Sequence, residues 1–180
     1  MKKERFEQAQ ADAIILYDKA HIVLTDTEKQ NIEVADFALG DFERTGICIV
    51  TYVNTELCCA KEMTLLPVQT CPEHIHRVTD TGFMGKEETF RCRYGKVYLY
   101  VDGEPTLNMT AKPPIGDEKY YTAARQIVLV PGDQYTLQPN TWHWFQAGPE
   151  GAVISEFSTQ SRDDLDVFTD PRIIRLPAVE

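Results

Sequence analysis

Three of the four histidines in this 180-residue chain, His74, His76 and His143, are spaced as metal ligands would be. His74 and His76 flank Ile75 at i and i+2, and on a β-strand that spacing turns both imidazoles to one face. Neutral imidazoles suit Fe, Ni, Cu and Zn, and a carboxylate alongside them brings Mn within range. Glu88 follows His76 after eleven residues, and Gly95 follows Glu88 after six. Far downstream, Pro131-Gly132-Asp133 begins a turn, and ten residues separate Gly132 from His143. His74, His76, Glu88 and His143 are the candidate ligands of one divalent ion, although a His-x-His pair alone is a weak signal. Two competing uses stand beside it. His143 lies between Trp142 and Trp144 and could serve an aromatic core, and Glu87 could replace Glu88. His21 has no partner in the pattern and reads as a helix-end or surface residue.

Such a set needs a rigid frame that brings distant segments together. Residues 3–21 place Phe6, Ala9, Ala13, Leu16 and Ala20 at spacings of three and four, an amphipathic helix. Thr25 and Glu28 form a capping-box pattern that opens a second helix over 26–37, with Gly40 ending it. After about residue 45 the texture changes to short β-branched and aromatic runs at 46–54, 57–67, 89–101, 125–130, 133–138 and 151–158. Asp102-Gly103 reads as a hairpin turn after the strand that ends at Val101. Strands at this spacing predict an all-β sandwich or barrel. The chain reads as one domain over 1–180, with a helical N-terminal extension (1–40) packed on a β-barrel (45–175).

The pattern His-x-His, a gap, Glu, six residues and Gly, followed by Gly, ten residues and His, resembles the cupin family. That resemblance implies a double-stranded β-helix (jelly-roll) barrel whose interior gathers the four ligands. The six residues between Glu88 and Gly95 also favour Glu88 over Glu87. Two features depart from the family pattern. The His76–Glu88 gap is long, which suggests an inserted loop over 78–85, and Asn140 stands where glycine is usual. Three further blocks, 60–77, 86–95 and 155–173, are similar to D-lyxose ketol-isomerases, sugar isomerases built on a single cupin domain. This narrower resemblance implies interconversion of D-lyxose with D-xylulose, and of D-mannose with D-fructose. It also implies Mn²⁺ in preference to Fe²⁺, Co²⁺, Ni²⁺ or Zn²⁺, and a homodimer.

Aldose–ketose isomerisation needs a Lewis acid at the carbonyl, a base for the C2 proton and an acid for the oxygens. Glu156 is the candidate base. Alternation in 151–158 sets Ile154, Glu156 and Ser158 on one face, and if that face lines the barrel the carboxylate points at the metal cavity. Lys86 and Lys61 are the candidate acids or anchors, able to stabilise an enediolate. Lys86 lies two residues before Glu88, and Lys61 shares a face with Cys59, Met63 and Leu65. Solvated surface positions are the competing reading for all three. Asp170 and Arg172 are candidates to close the site from the C-terminal segment. The expected route is a cis-enediol proton transfer on an open-chain sugar held at the metal. An iron-dependent cupin dioxygenase and a non-catalytic sugar-binding cupin are the alternatives.

Composition narrows the field further. Eighteen Lys and Arg against 28 Asp and Glu give a formal charge of −10, which argues against a nucleic-acid partner. No run of about 18 apolar residues suggests a membrane span. Five cysteines without a C-x-x-C pair read as reduced thiols of a cytoplasmic protein.

Overall fold

The computed structural model describes residues 1–80 and 82–175. Nine strands make one curled sheet: β1 (Glu33–Ala35), β2 (Ile47–Asn54), β3 (Cys59–Leu65), β4 (Thr70–Ile75), β5 (Glu88–Val101), β6 (Arg125–Leu129), β7 (Gln134–Leu137), β8 (His143–Ser158) and β9 (Val167–Phe168). The order is β1-β2-β3-β8-β4-β9, with β5 bonded to β6, β7 and β8. The two long strands, β5 and β8, run antiparallel along nearly their whole length, from Glu88↔Ser158 to Val101↔His143. The first half of β8 also pairs with β4, and its second half pairs with β3. One strand thus stitches both ends of the barrel.

Side-chain alternation sorts the apolar residues into two layers. Ile47, Ile49, Met63, Leu65, Phe90, Leu99 and Ile154 fill the inside of the curl. Their neighbours Cys48, Val50 and Val153 face outward, against Ala9, Ala13, Leu16 and Tyr17 of α1 (Lys3–Lys19). The helix face read from its three-and-four spacing is therefore the face that packs. A third cluster stacks Trp144 on Tyr100, ring centroids 4.0 Å apart, beneath residues 102–124. Trp144 thus faces away from the cavity, although it adjoins His143.

Three expectations need correcting. The second helix, α2, covers only Asp26–Gln30. Its capping box is present, with Thr25 and Glu28 bonded reciprocally. Beyond it, Val34 and Ala35 pair with Cys48 and Ile47 as β1, so tertiary pairing wins over helical pattern, and 1–40 is not wholly helical. Asp102-Gly103 makes no tight hairpin, because the partner of Val101 is Arg125. Asp102 instead exchanges hydrogen bonds with Trp142, its main-chain N–H donating to the Trp142 carbonyl and its carboxylate accepting from the Trp142 N–H. Finally, β8 begins at His143, eight residues ahead of the expected 151.

Gly95 holds a left-handed φ of +70° where β5 shifts register against β8, and a Cβ built there would meet the Gly151 carbonyl oxygen at 2.0 Å. No L side chain fits without moving backbone. Gly95→Ala is expected to lower stability by at least about 2 kcal/mol, read as an earlier urea midpoint. An unchanged midpoint would show that the β5–β8 contact relaxes freely.

Candidate active site

The strands deliver the expected ligands to one place. His74 lies on β4 directly opposite His143, the first residue of β8. His76 follows just beyond the end of β4, and Glu88 opens β5. All four side chains are buried, at 8% exposure or less, whereas Glu87 points outward. One ligand atom from each of the three histidines lies within 4.8 Å of the others. Glu88 adjoins two of them, its Oε1 standing 3.0 Å from His143 Nε2 and 3.3 Å from His76 Nε2. His21 is exposed at the end of α1, as read.

Hydrogen bonding on the far side of each ring sets its chemistry. His74 Nδ1 is 2.8 Å from the Pro72 carbonyl oxygen, and His143 Nδ1 is 3.0 Å from that of Thr141. A carbonyl only accepts, so each Nδ1 carries the hydrogen and each Nε2 keeps its lone pair. His76 Nδ1 faces Asp166 Oδ1 at 2.5 Å. His76 Nε2, His143 Nε2 and Glu88 Oε1 are buried atoms without a hydrogen-bond partner. Lone pairs set against one another in a dry interior are costly unless a cation lies between them. Two ligands each about 2.1 Å from one ion and at right angles lie about 3 Å apart, the separation found here. The residues present therefore fit a divalent metal.

Burial, followed by the neighbouring rings of His143 and His76, holds His74 well below the ordinary imidazole pKa, in the neutral ligand form. Burial also opposes charge on His76, but Glu88 and Asp166 outweigh it and lift that ring to about 9. A proton thus competes with a metal at His76.

The candidate catalytic residues adjoin this cluster. Lys86 Nζ is 2.7 Å from Glu88 Oε2 and 2.7 Å from Glu156 Oε1. Burial alone would lower the Lys86 pKa, but Glu156 and Glu88 raise it instead. Burial likewise opposes charge on Glu88, yet Lys86 and His76 hold its carboxyl well below the usual range. Glu156 Oε1 is paired with that ammonium and also accepts from Ser158 Oγ at 3.0 Å. Lys61 lines the same cavity directly across from Glu156, but its ammonium is held by Ser161 Oγ at 2.8 Å and by Asp163 at 3.2 Å.

Asp170 and Arg172 do not line the cavity. They pair with each other, and Arg172 also bonds Asp117 and lies over the Tyr120 ring. The C-terminal segment does reach the site, through Asp163, Asp166, Phe168 and Arg175 instead. These four lie where no periodic pattern exists. For Asp163, Asp166 and Phe168 the only signal is the isomerase-like block 155–173, which also holds Asp170 and Arg172, and Arg175 lies beyond it. Among the described residues the cysteines are unpaired, with Cys58 exposed and the other four buried.

The family model described as D-lyxose isomerase matches residues 19–180. This chain belongs to the D-lyxose isomerase family. It is 57% identical over 180 residues to a D-lyxose/D-mannose isomerase of Thermosediminibacter oceani, covering all of this chain and 99% of that protein. A D-lyxose ketol-isomerase of Cohnella laeviribosi is 52% identical, with 100% and 98% covered. Among solved structures, the L-ribose isomerase of Cellulomonas parahominis superposes with a TM-score of 0.81 at 16% identity, covering 99% of this chain and 98% of that one. The L-ribose isomerase of Acinetobacter sp. DL28, solved with L-ribose, gives 0.76 at 15% identity, covering 96% and 94%. At that identity the likeness concerns the fold, and the chain has the curled sheet expected of it. No helix among the described residues is long and apolar enough to cross a membrane.

The Glu88–Lys86–Glu156 line also affects stability. Replacing Lys86 with methionine leaves two buried carboxylates facing each other without a cation. Metal-free Lys86→Met is expected to lose about 3 kcal/mol in urea unfolding at neutral pH. A wild-type midpoint would show that the three groups do not pair in solution.

Proposed function

We propose that this chain is a metal-dependent aldose–ketose isomerase that converts D-lyxose to D-xylulose and D-mannose to D-fructose. The observation that carries the reading is Glu156. A buried carboxylate stands beside the candidate metal set without belonging to it, held through one shared lysine. His74, His76, Glu88 and His143 would hold the ion, with Mn²⁺ favoured over Fe²⁺, Co²⁺, Ni²⁺ or Zn²⁺. When bound, the ion would supply Lewis-acid polarisation of the sugar carbonyl.

The rest of the chemistry falls to the chain's own residues. Glu156 takes the proton from C2 of the open-chain aldose and returns it to C1 of the enediol, while a proton passes from O2 to O1 with the Lys86 ammonium serving the two oxygens. Lys86 fixes the carboxylate's direction and faces the sugar oxygens with an ammonium that stabilises negative charge as it develops. Lys61, the cross-strand neighbour of Glu156, and its partner Asp163 line the same cavity and would meet hydroxyls farther along the sugar. Buried Phe90 and Phe145, together with Phe168, close the cavity to bulk water. A dioxygenase would use the four ligands but would leave the Lys86–Glu156 pair without a task. A binding-only cupin would not require a base at the reacting carbons. The same reading includes a homodimer and a cytoplasmic setting, which suits five unpaired thiols.

Metal-stripped protein is expected to lose isomerase activity on D-lyxose and D-mannose and to recover it with Mn²⁺. Glu156→Gln with Mn²⁺ restored is expected to lose at least about 10²-fold in kcat while still binding sugar. In deuterated water, deuterium is expected at C1 of the ketose. Product free of solvent deuterium, together with an active Glu156→Gln variant, would contradict proton transfer through this carboxylate.

A further inference from the structure

The three histidines are not held alike. His74 and His143 each present Nδ1 to a main-chain carbonyl two residues earlier in their own segment, at Pro72 and Thr141. His76 instead meets a side chain 90 residues away, the Asp166 carboxylate at 2.5 Å, with both groups about 7% exposed or less. Asp166 sits in the segment that leaves β8 at Ser158 and crosses the cavity to Arg175.

That segment is fastened along its length by contacts other than the Asp166–His76 bond. Ser161 exchanges two hydrogen bonds with Asn54, its N–H donating to Asn54 Oδ1 and its carbonyl accepting from Asn54 Nδ2. Asp163 pairs with Lys61 and with Arg175, at 3.2 and 3.0 Å. β9 pairs with β4 at His74↔Phe168, and the Thr169 hydroxyl donates to Glu73 Oε1 at 2.7 Å. Asp166 makes the one side-chain hydrogen bond from this segment to the metal set among the described residues. It lies midway between those fastenings.

We propose that Asp166 is a positioning residue for the metal centre and couples docking of segment 159–175 to the ion's occupancy. The inference rests on the metal site proposed above. Its carboxylate holds His76 with hydrogen on Nδ1, aims Nε2 at the ion and makes the ring a better electron donor. Because the carboxylate belongs to the crossing segment, an ion that favours this His76 orientation also favours the docked segment. By reciprocity the docked segment tightens the ion. The Nδ1 atoms of His74 and His143 carry no such coupling, since their carbonyl acceptors lie beside them in the chain, and His74 meets the segment only through the β4–β9 pairing and the Phe168 ring.

The test is Mn²⁺ titration of the full chain, followed by the electron paramagnetic resonance signal of free Mn²⁺. The expected result is affinity about 10- to 100-fold weaker for Asp166→Ala. Asp166→Asn should fall between, because its amide oxygen still accepts from Nδ1–H without the charge. Asp164→Asn, an exposed neighbour paired with Arg162, should match the wild type. Hydrogen exchange supplies the second readout. Saturating Mn²⁺ is expected to slow exchange across 159–175 in the wild type and to slow it much less in saturated Asp166→Ala. If that variant fails to fold by circular dichroism, Asp166→Asn carries both measurements. Wild-type affinity in the variants with equal protection of the segment overturns the inference and leaves the metal site standing. A wild type that binds no Mn²⁺ overturns the metal site itself.

Discussion

Electron pairs converging in a closed barrel are the constraint on which the rest of this molecule depends. Carbonyl oxygens at Pro72 and Thr141 turn the Nε2 lone pairs of His74 and His143 inward, and Asp166 does so for His76. Glu88 Oε1 meets two of them at about the spacing of adjacent ligands on one ion. His76 Nε2, His143 Nε2 and Glu88 Oε1 are buried from bulk solvent, so hydration does little to relieve the crowding. Only a cation does so, whether a metal ion or, at His76, a proton. The fold supplies what makes this crowding possible. Nine strands curl into one sheet, so that β4, β5 and β8 bring segments up to about seventy residues apart into contact.

A second electrostatic line grows from the first. Glu88 contributes one oxygen to the histidine cluster and the other to Lys86, which reaches on to Glu156. The candidate metal ligand and candidate base therefore share one ammonium, and a change at either end is felt at the other. Glu156 owes its direction to β8, where Ile154 fills the core and Glu156, two residues on, meets the cavity. Gly95 and Gly151 let β5 and β8 approach closely where their register shifts. The glycine of the His-x-His…Glu…Gly pattern is thus a packing requirement, while the other members point at the chemistry.

Much of this was legible in the sequence because it depended on short-range periodicity. His74 and His76 share a face through their i, i+2 spacing, and the α1 face follows from every third and fourth residue, while the preference for Glu88 over Glu87 comes from the motif spacing to Gly95. The Thr25–Glu28 cap was equally local. What remained hidden depended on pairing across distance. Val34 and Ala35 become a strand only because Cys48 and Ile47 lie beside them. The partner of Val101 lies beyond residues 102–124, which no turn motif could reveal. The C-terminal segment is distinctive in sequence, yet Asp170 and Arg172 turn to a network with Asp117 outside the cavity, while Asp163, Asp166 and Arg175 line it. Spacing in an irregular segment does not say which side faces inward; its anchors at Asn54, Glu73 and β4 do.

The most direct measurement is anomalous diffraction from crystals of the chain grown with Mn²⁺, recorded where manganese scatters anomalously. The expected result is one dominant peak per chain, within about 2.3 Å of the Nε2 atoms of His74, His76 and His143 and of a Glu88 oxygen. A peak that leaves any of the three imidazoles out, or no peak in the barrel under saturating Mn²⁺, would contradict the single shared ion from which the chemistry follows.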